Sequence, residues 1–196
     1  MKRIISPPLL TIAFLLLAFK APVKQEIFKV DTEKSSINWT GRKVTGQHTG
    51  SIKIASGQLL FNKTLKSGSF VIDMNSLICS DSEKVQTHLK ADDFFSVEKN
   101  PTSQFVITKV AATGADRVNI TGNLTIKGIT QPLTFPATVK RKGNAVVAVA
   151  KGVKVNRLKY DIKFRSLTFF STIGDKAIDD EFELDINLIA KLEPKK

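Results

Sequence analysis

One cysteine, Cys79, stands in a chain of 196 residues, so no intramolecular disulfide forms and a disulfide scaffold is excluded. Only two histidines occur, His48 and His88, far apart and on unlike predicted elements. No Cys/His cluster has zinc-ligand spacing, so no metal site is expected, and each histidine reads as structural or surface. Acidic residues are scarce as well: 18 against 30 Lys and Arg, a net charge of +12. Tyr and Trp occur once each, while Phe occurs 13 times. Phe supplies large apolar area without a polar tip that needs a partner, a choice suited to a wide, oily interior. A Gly-x-Ser-x-Gly elbow is absent, which argues against a serine hydrolase of that kind. Asp179-Asp180-Glu181 runs straight into an alternating strand without the glycine-containing loop of an EF-hand, so calcium is not expected there. What remains is 42% hydrophobic and 24% charged, the balance of a folded domain. This length allows one domain, or at most a small domain with appendages.

The first 21 residues carry Lys2-Arg3, an apolar run from Ile4 to Phe19 broken by Pro7-Pro8, and a composition shift at Lys20-Ala21-Pro22. This is the pattern of a secretory signal, and Leu9 to Phe19 is too short for the roughly 20 residues of a spanning helix. The expectation is a signal over 1–21 and a domain over 22–196, with periplasmic or secreted localisation. Removal of residues 1–18 takes away Lys2 and Arg3 and brings the net charge from +12 to +10, so the basicity is not just the signal's.

Beyond that segment the dominant signal is alternation with period two, the mark of half-buried strands. In the last stretch Phe182, Leu184, Ile186, Leu188, Ala190 and Leu192 share one face, with acids, Asn187 and Lys191 opposite. The same alternation appears in Ile37-Trp39, Ile52-Ile54, Phe70-Ile72-Met74, Phe105-Ile107, Val118-Ile120, Leu124-Ile126 and Leu133-Phe135-Ala137-Val139. Residues 145–155 alternate less cleanly. Turns are expected at Ser56-Gly57, Ser67-Gly68, Thr113-Gly114, Lys127-Gly128 and Gly143-Asn144. About eight antiparallel strands with one apolar face each predict an all-β fold, and closure into a barrel removes aggregation-prone edges. Helical character is confined to 80–95, where Ser80 as N-cap and Glu83 three residues on form a capping box. A second short helix is expected near Asp92, and Asp81, Asp92 and Asp93 read as charges at helix starts. In a barrel this crossover lies over one mouth.

Cys79 follows Leu77-Ile78 and reads as a buried small hydrophobe rather than a reactive thiol. The basic residues alternate with acids or sit at turns, as in Lys140-Arg141-Lys142, without aromatics on the same face, so no nucleic acid is expected. Arg42, Lys43, Arg157, Lys159 and Arg165 lie in or near loops, where contact with a phosphate head group or an anionic lipid surface is permitted.

Three stretches carry a family resemblance. His88-Leu89, Asp92-Asp93-Phe94-Phe95, Asn100-Pro101 and Phe105 resemble the HL-x-x-x-DFF-x-x-x-x-x-P-x-x-x-F signature of the YceI-like family. Gly122-Asn123-Leu124-Thr125-Ile126-Lys127-Gly128-Ile129-Thr130-Gln131-Pro132 is similar to its G-x-L-T-(I/L)-x-G-V-T-x-P segment, and Val30-Asp31 with Ser35-Ser36-Ile37 to its first strand. The chain departs from the family at 151–160, where Asn156-Arg157 and Tyr160 keep part of a common motif without its glycine. The resemblance implies an eight-stranded lipocalin-like barrel with a helical crossover, exported in bacteria, that holds a polyisoprenoid or quinone-like amphiphile and brings no catalytic residues or resident cofactor.

The inner-face candidates for lipid contact are Phe70, Ile72, Met74, Phe105, Ile107, Ile120, Leu124, Leu133, Phe135, Phe164, Phe182, Leu184 and Ile186. Burying a methylene yields about 0.8 kcal/mol, so three isoprene units supply on the order of 12 kcal/mol gross. Micromolar binding needs about 8 kcal/mol. The expected partner is a long-chain isoprenoid or similar lipid, with transient contact to an anionic membrane and a homodimer left open. Because eight-stranded barrels are either packed or hollow, a solid-core stress or interaction protein is the second reading. An enzyme acting on a lipid or sugar would need His88, Asp92 or Asp93 and a hydroxyl to converge in a pocket.

Overall fold

A computed structural model of the chain describes residues 25–194, and the expected signal segment lies outside them. The alternating runs become nine strands: β1 (Glu26–Val30), β2 (Ser36–Lys43), β3 (Gly46–Asn62), β4 (Thr64–Cys79), β5 (Thr102–Ala112), β6 (Arg117–Ile126), β7 (Ile129–Lys142), β8 (Ala145–Asn156) and β9 (Ile178–Leu192). From β4 to β9 each strand pairs antiparallel with the next. β2 bridges β9 to β3, and β3 pairs with β4 to close the ring. β1 shares the position of β2, since Phe28 pairs with Leu59 of β3 and with Leu192 of β9. Nine segments therefore fill eight positions of a closed antiparallel barrel. The expected fold class is the observed one.

Two expected turns are not turns. Ser56-Gly57 and Ser67-Gly68 lie inside β3 and β4, and the chain reverses at Lys63, whose φ is 61°. β3 is long because it pairs with β2 through its first half and with β1 near its end, and β4 runs back along it from Thr64 to Cys79. Lys127-Gly128 does behave as expected: φ is 51° and 74°, and Ile126 pairs with Ile129 across a two-residue loop. Positive φ at both central residues is the type I′ geometry that matches strand twist. The uneven alternation of β8 has a local cause. Pairing with β9 jumps from Ala150 opposite Ile186 to Val153 opposite Leu184, so the bulge turns both Ala150 and Val153 inward.

Asp185 holds that bulge, accepting from Gly152 N at 2.9 Å and from Lys151 Nζ at 3.0 Å. The Gly152 N–H, then Lys151, lowers the Asp185 carboxyl below its ordinary value of 3.8. Asp31, Asp92 and Asp161 are lowered too, foremost by hydrogen bonds from Lys191, Lys99 and Lys163. A depressed folded-state carboxyl stabilises the fold fully above the unfolded value and loses that contribution as the pH falls through the folded one. Melting temperature is therefore expected to drop as pH is lowered below about 3.8. Asp185→Asn should flatten part of that drop in a thermal melt series.

Helix α1 (Glu83–Lys90) crosses from β4 to β5, within the expected 80–95. Its N-cap is Ser82, whose Oγ accepts from Val85 N at 3.2 Å, and not Ser80. β4 keeps pairing to Cys79, and Ser80 N donates to Thr49 O at 2.8 Å, so the helix starts two residues later than predicted. No capping box forms, and residues after Ala91 make turns rather than a second helix. The three aspartates cap nothing: Asp81 bonds His48 and Cys79, Asp92 bonds Ser96 and Lys99, and Asp93 bonds His88.

The interior is solid at one end. Phe28, Val146 and Ala190 are fully buried, and Phe28 packs on Phe61 with ring centroids 5.1 Å apart. Arg141 lies over the Phe28 ring and pairs with Glu26, covering that end. The other end carries α1, the turns of 91–99, and the irregular segment 157–177.

Candidate functional site

Between the solid end and the helix lies a cavity of about 230 Å³. Twelve of the thirteen inner-face candidates line it: Phe70, Ile72, Met74, Phe105, Ile107, Ile120, Leu124, Leu133, Phe135, Phe182, Leu184 and Ile186. Strand alternation places them there, because every second side chain on each strand points to the axis. Phe70, Ile72, Phe105, Leu133, Phe182, Leu184 and Ile186 are only partly buried although they face inward, since they border empty space. Phe70 and Phe105 stack with centroids 6.4 Å apart, and Phe105 meets Phe135 at 5.6 Å.

Phe164 does not line the cavity. It sits in the irregular segment after β8, where no period-two rule applies, and packs into the lid instead. There His88 stands edge-on to Phe94 and Phe164 at 4.9 and 4.7 Å, and its Nε2 lies 2.6 Å from Asp93 Oδ2. The signature residues 88–95 thus assemble an aromatic plug over the lumen. The plug also lines it from above through Leu89, Phe94 and Phe95, which the sequence placed in the family signature but not among the lining candidates. Trp39, Ile37, Ile54 and Leu188 were recognised as alternating but not as lining, and they face the cavity as well.

Arg157 is placed differently from the expectation. It is 3% exposed, and it donates through Nε to Asp179 O at 2.8 Å, through Nη1 to Ile162 O at 2.7 Å, and through Nη2 to Ile178 O at 2.9 Å. Asp180 Oδ1 lies 3.5 Å from Nη2, and burial lowers the guanidinium from its ordinary value. This side chain therefore clips the two ends of 157–178 together at the barrel rim and is not free to hold a phosphate. Arg42 pairs with Glu183 on the barrel exterior. Asn156 Oδ1 accepts from Leu158 N to start the 3-10 turn Arg157–Tyr160, which buries Tyr160 at 2% exposure.

The polar groups that border the lumen are few. Ser103 donates its hydroxyl to Met74 Sδ at 3.1 Å, Arg157 is bonded to carbonyls, and the acids Asp179 and Glu181 line it as well. The His88–Asp93 pair and the Ser96–Asp92 pair are separate, and none of these four residues lines the cavity. The convergence that an enzymatic reading requires is not formed by these residues.

Gly122 shows how tightly the wall is fitted. A Cβ there would overlap Phe105 Cζ and lie 2.6 Å from Val106 O, so Phe105 reaches its position only across a glycine. Gly122→Ala is expected to cost about 2 kcal/mol through overpacking. Thermal denaturation should show a fall of several degrees.

A closed antiparallel barrel with a capped apolar cavity defines the structural class. The chain belongs to the YceI-like domain family, whose pattern it matches over residues 28–190. A UPF0312 protein of Pseudomonas paraeruginosa is 44% identical over 73 residues, and the match spans 37% of each chain, so the curated relative is covered for only about a third of its length. Burkholderia cenocepacia BcnA superposes with a TM-score of 0.69 at 23% identity, covering 83% of this chain and 99% of that one. A polyisoprenoid binding domain from Saccharophagus degradans superposes with a TM-score of 0.67 at 16% identity, over 85% and 98%. These likenesses establish the fold.

Proposed function

We propose that this chain is an exported, non-catalytic carrier of an isoprenoid or quinone-like amphiphile whose tail occupies the barrel cavity. The observation that carries the reading is the apolar space of about 230 Å³ under an aromatic lid. It exceeds the roughly 150 Å³ apolar cavity that takes up benzene and falls below the roughly 300 Å³ at which drug-sized pockets begin. A long tail fills it and displaces the lid aromatics Phe94 and Phe95. Among the described lining residues the cation, Arg157, is bonded to carbonyls and the other charged groups, Asp179 and Glu181, are acidic, so they offer nothing to pair with a phosphate. Burying an unpaired anion is strongly unfavourable, so the head is neutral or stays at the mouth. The family and the fold shared with a polyisoprenoid binding domain support the tail chemistry. The basic and apolar first 21 residues support export, to the periplasm or beyond.

Extraction of the natively purified full chain, followed by lipid mass spectrometry, tests the reading. An isoprenoid-tailed lipid at near-stoichiometric level is expected; a reproducibly empty protein that also fails to take up a C15 isoprenoid alcohol would contradict it.

Loading from a membrane has its own surface. Leu167, Phe169 and Phe170 are 53%, 49% and 50% exposed on the segment whose ends, Ile162 and Ile178, border the cavity. Lys163 Nζ lies 5.2 Å above the Phe169 ring, and Arg165 stacks on Phe164. Aromatics flanked by cations suit an anionic bilayer interface. Phe169→Ser combined with Phe170→Ser is expected to weaken cosedimentation with phosphatidylglycerol-containing vesicles about 10-fold or more, given the apolar burial at stake. Affinity for the soluble C15 alcohol should not change.

A further inference from the structure

At the lid end, outside the cavity, strand pairing brings His48 to Cys79 and Asp81, two neighbouring side chains that are distant from it in sequence. His48 near the start of β3, Cys79 at the end of β4 and Asp81 just beyond it present Nδ1, Sγ and a carboxylate oxygen within 4.8 Å of one another. Asp81 is the hinge of the group: Oδ2 lies 3.0 Å from His48 Nδ1, and Oδ1 accepts from Cys79 Sγ at 3.0 Å. We propose that His48, Cys79 and Asp81 form a binding site for a divalent transition-metal ion of the zinc class.

The backbone is fixed for this. Gly50 pairs with Cys79, Ser80 N donates to Thr49 O at 2.8 Å, and Cys79 N donates to Gln86 Oε1 at 3.0 Å, tying the turn to both β3 and α1. A tetrahedral ion with bonds of about 2.0–2.3 Å sets its ligands about 3.3–3.7 Å apart. The present spacings, 3.0 Å for the two bonded pairs and at most 4.8 Å overall, bracket that range, so small side-chain shifts close the site.

Thiolate, carboxylate and neutral imidazole together carry two negative charges, which balance a divalent cation. The sulfur and nitrogen donors select zinc, cobalt, nickel or copper over magnesium and calcium. Binding replaces protons without any redox step: the Cys79 thiol releases its proton to solvent, and His48 carries its remaining proton on Nε2 while Nδ1 ligates. Cys79 is buried, whereas the His48 and Asp81 side chains are 27% and 48% exposed, which gives the ion a path in and leaves a fourth position to water. In the absence of an ion, burial and the Asp81 carboxylate push the thiol up from its ordinary value, while the Cys79 and His48 hydrogen bonds lower Asp81. The sequence expectation of no metal site compared cysteines with histidines: it left out the carboxylate two residues beyond Cys79, and only the β3–β4 register brings His48 to that pair.

None of the three residues lines the lipid cavity, so the two functions separate by experiment. The tag-free full chain, treated with chelator and titrated with Co²⁺, should develop a thiolate-to-cobalt charge-transfer band at one equivalent. Zn²⁺ should bleach it and Mg²⁺ should not. Loss of a mere outer-shell partner costs about 10–100-fold in affinity, so Cys79→Ser and His48→Ala should each weaken Co²⁺ binding at least about 100-fold. Quenching of Trp39, whose ring lies against Gly50, gives a second readout that does not depend on the thiolate band. If Cys79→Ser fails to fold by circular dichroism, His48→Ala alone decides. Absence of the band in the unmodified chain, or Co²⁺ affinity unchanged in His48→Ala, overturns the proposal.

Discussion

Two indoles placed in the lumen, Ile72→Trp together with Leu184→Trp, are expected to weaken uptake of a C15 isoprenoid alcohol at least about 100-fold, a loss of about 2.8 kcal/mol at 1.4 kcal/mol per tenfold. Both positions border the cavity and both side chains are only partly buried, so the added rings enter space that is already open. Removing room for three or four methylenes accounts for the loss, at about 0.8 kcal/mol each. The same substitutions in a filled core would cost about 1–3 kcal/mol apiece. Here the void absorbs much of the added volume, and melting temperature should move by only a few degrees. Titration followed by native mass spectrometry separates the two outcomes. A core that is solid in solution would show the reverse: a large fall in melting temperature and no binding to lose.

Arg157→Met is expected to produce the largest loss of stability. The guanidinium is 3% exposed and is hydrogen bonded to three backbone carbonyls, those of Ile162, Ile178 and Asp179. Methionine matches the length but leaves these acceptors without donors, and each buried unsatisfied group costs about 1–3 kcal/mol. Water reaches Asp179 at the rim, so the net loss is about 3–5 kcal/mol. At roughly 2–4 °C per kcal/mol for a domain of this size, melting should fall by about 10 °C or more. Because Arg157 ties the exposed 163–170 segment to the barrel, proteolysis should begin in that segment. Lysine at this position cannot reach three carbonyls in one plane and should rescue little.

The parts of this fold that sequence disclosed are those governed by a simple period. β9 alternates apolar and polar residues from Phe182 onward, and of the side chains it promised to the interior Phe182, Leu184, Ile186 and Leu188 face the cavity while Ala190 is buried in the solid end. Lys127-Gly128 announced its hairpin because two successive positive φ values admit few residue pairs. Glycine proved ambiguous elsewhere: at Ser56-Gly57 and Ser67-Gly68 the strands run on. Phe164 was misplaced because the segment after β8 has no period from which a facing direction follows. Arg157 looked like other basic residues near loops, and nothing local announces that Asp179 and Ile178 come back to meet it. The His48–Cys79–Asp81 group was hidden for the same reason. It depends on the register of β3 against β4, a long-range fact that no spacing along the chain encodes.

The carrier reading rests on one physical premise, that the lumen receives a tail. A photoreactive C15 isoprenoid carrying a diazirine at its tail end, incubated with the full chain and mapped by peptide mass spectrometry, addresses that premise directly. Crosslinks are expected on Ile72, Phe105, Leu133 and Leu184, and they should disappear in the variant carrying both indoles. Crosslinks confined to the exposed Phe169–Phe170 segment or to the barrel exterior, unchanged by filling the lumen, would contradict it.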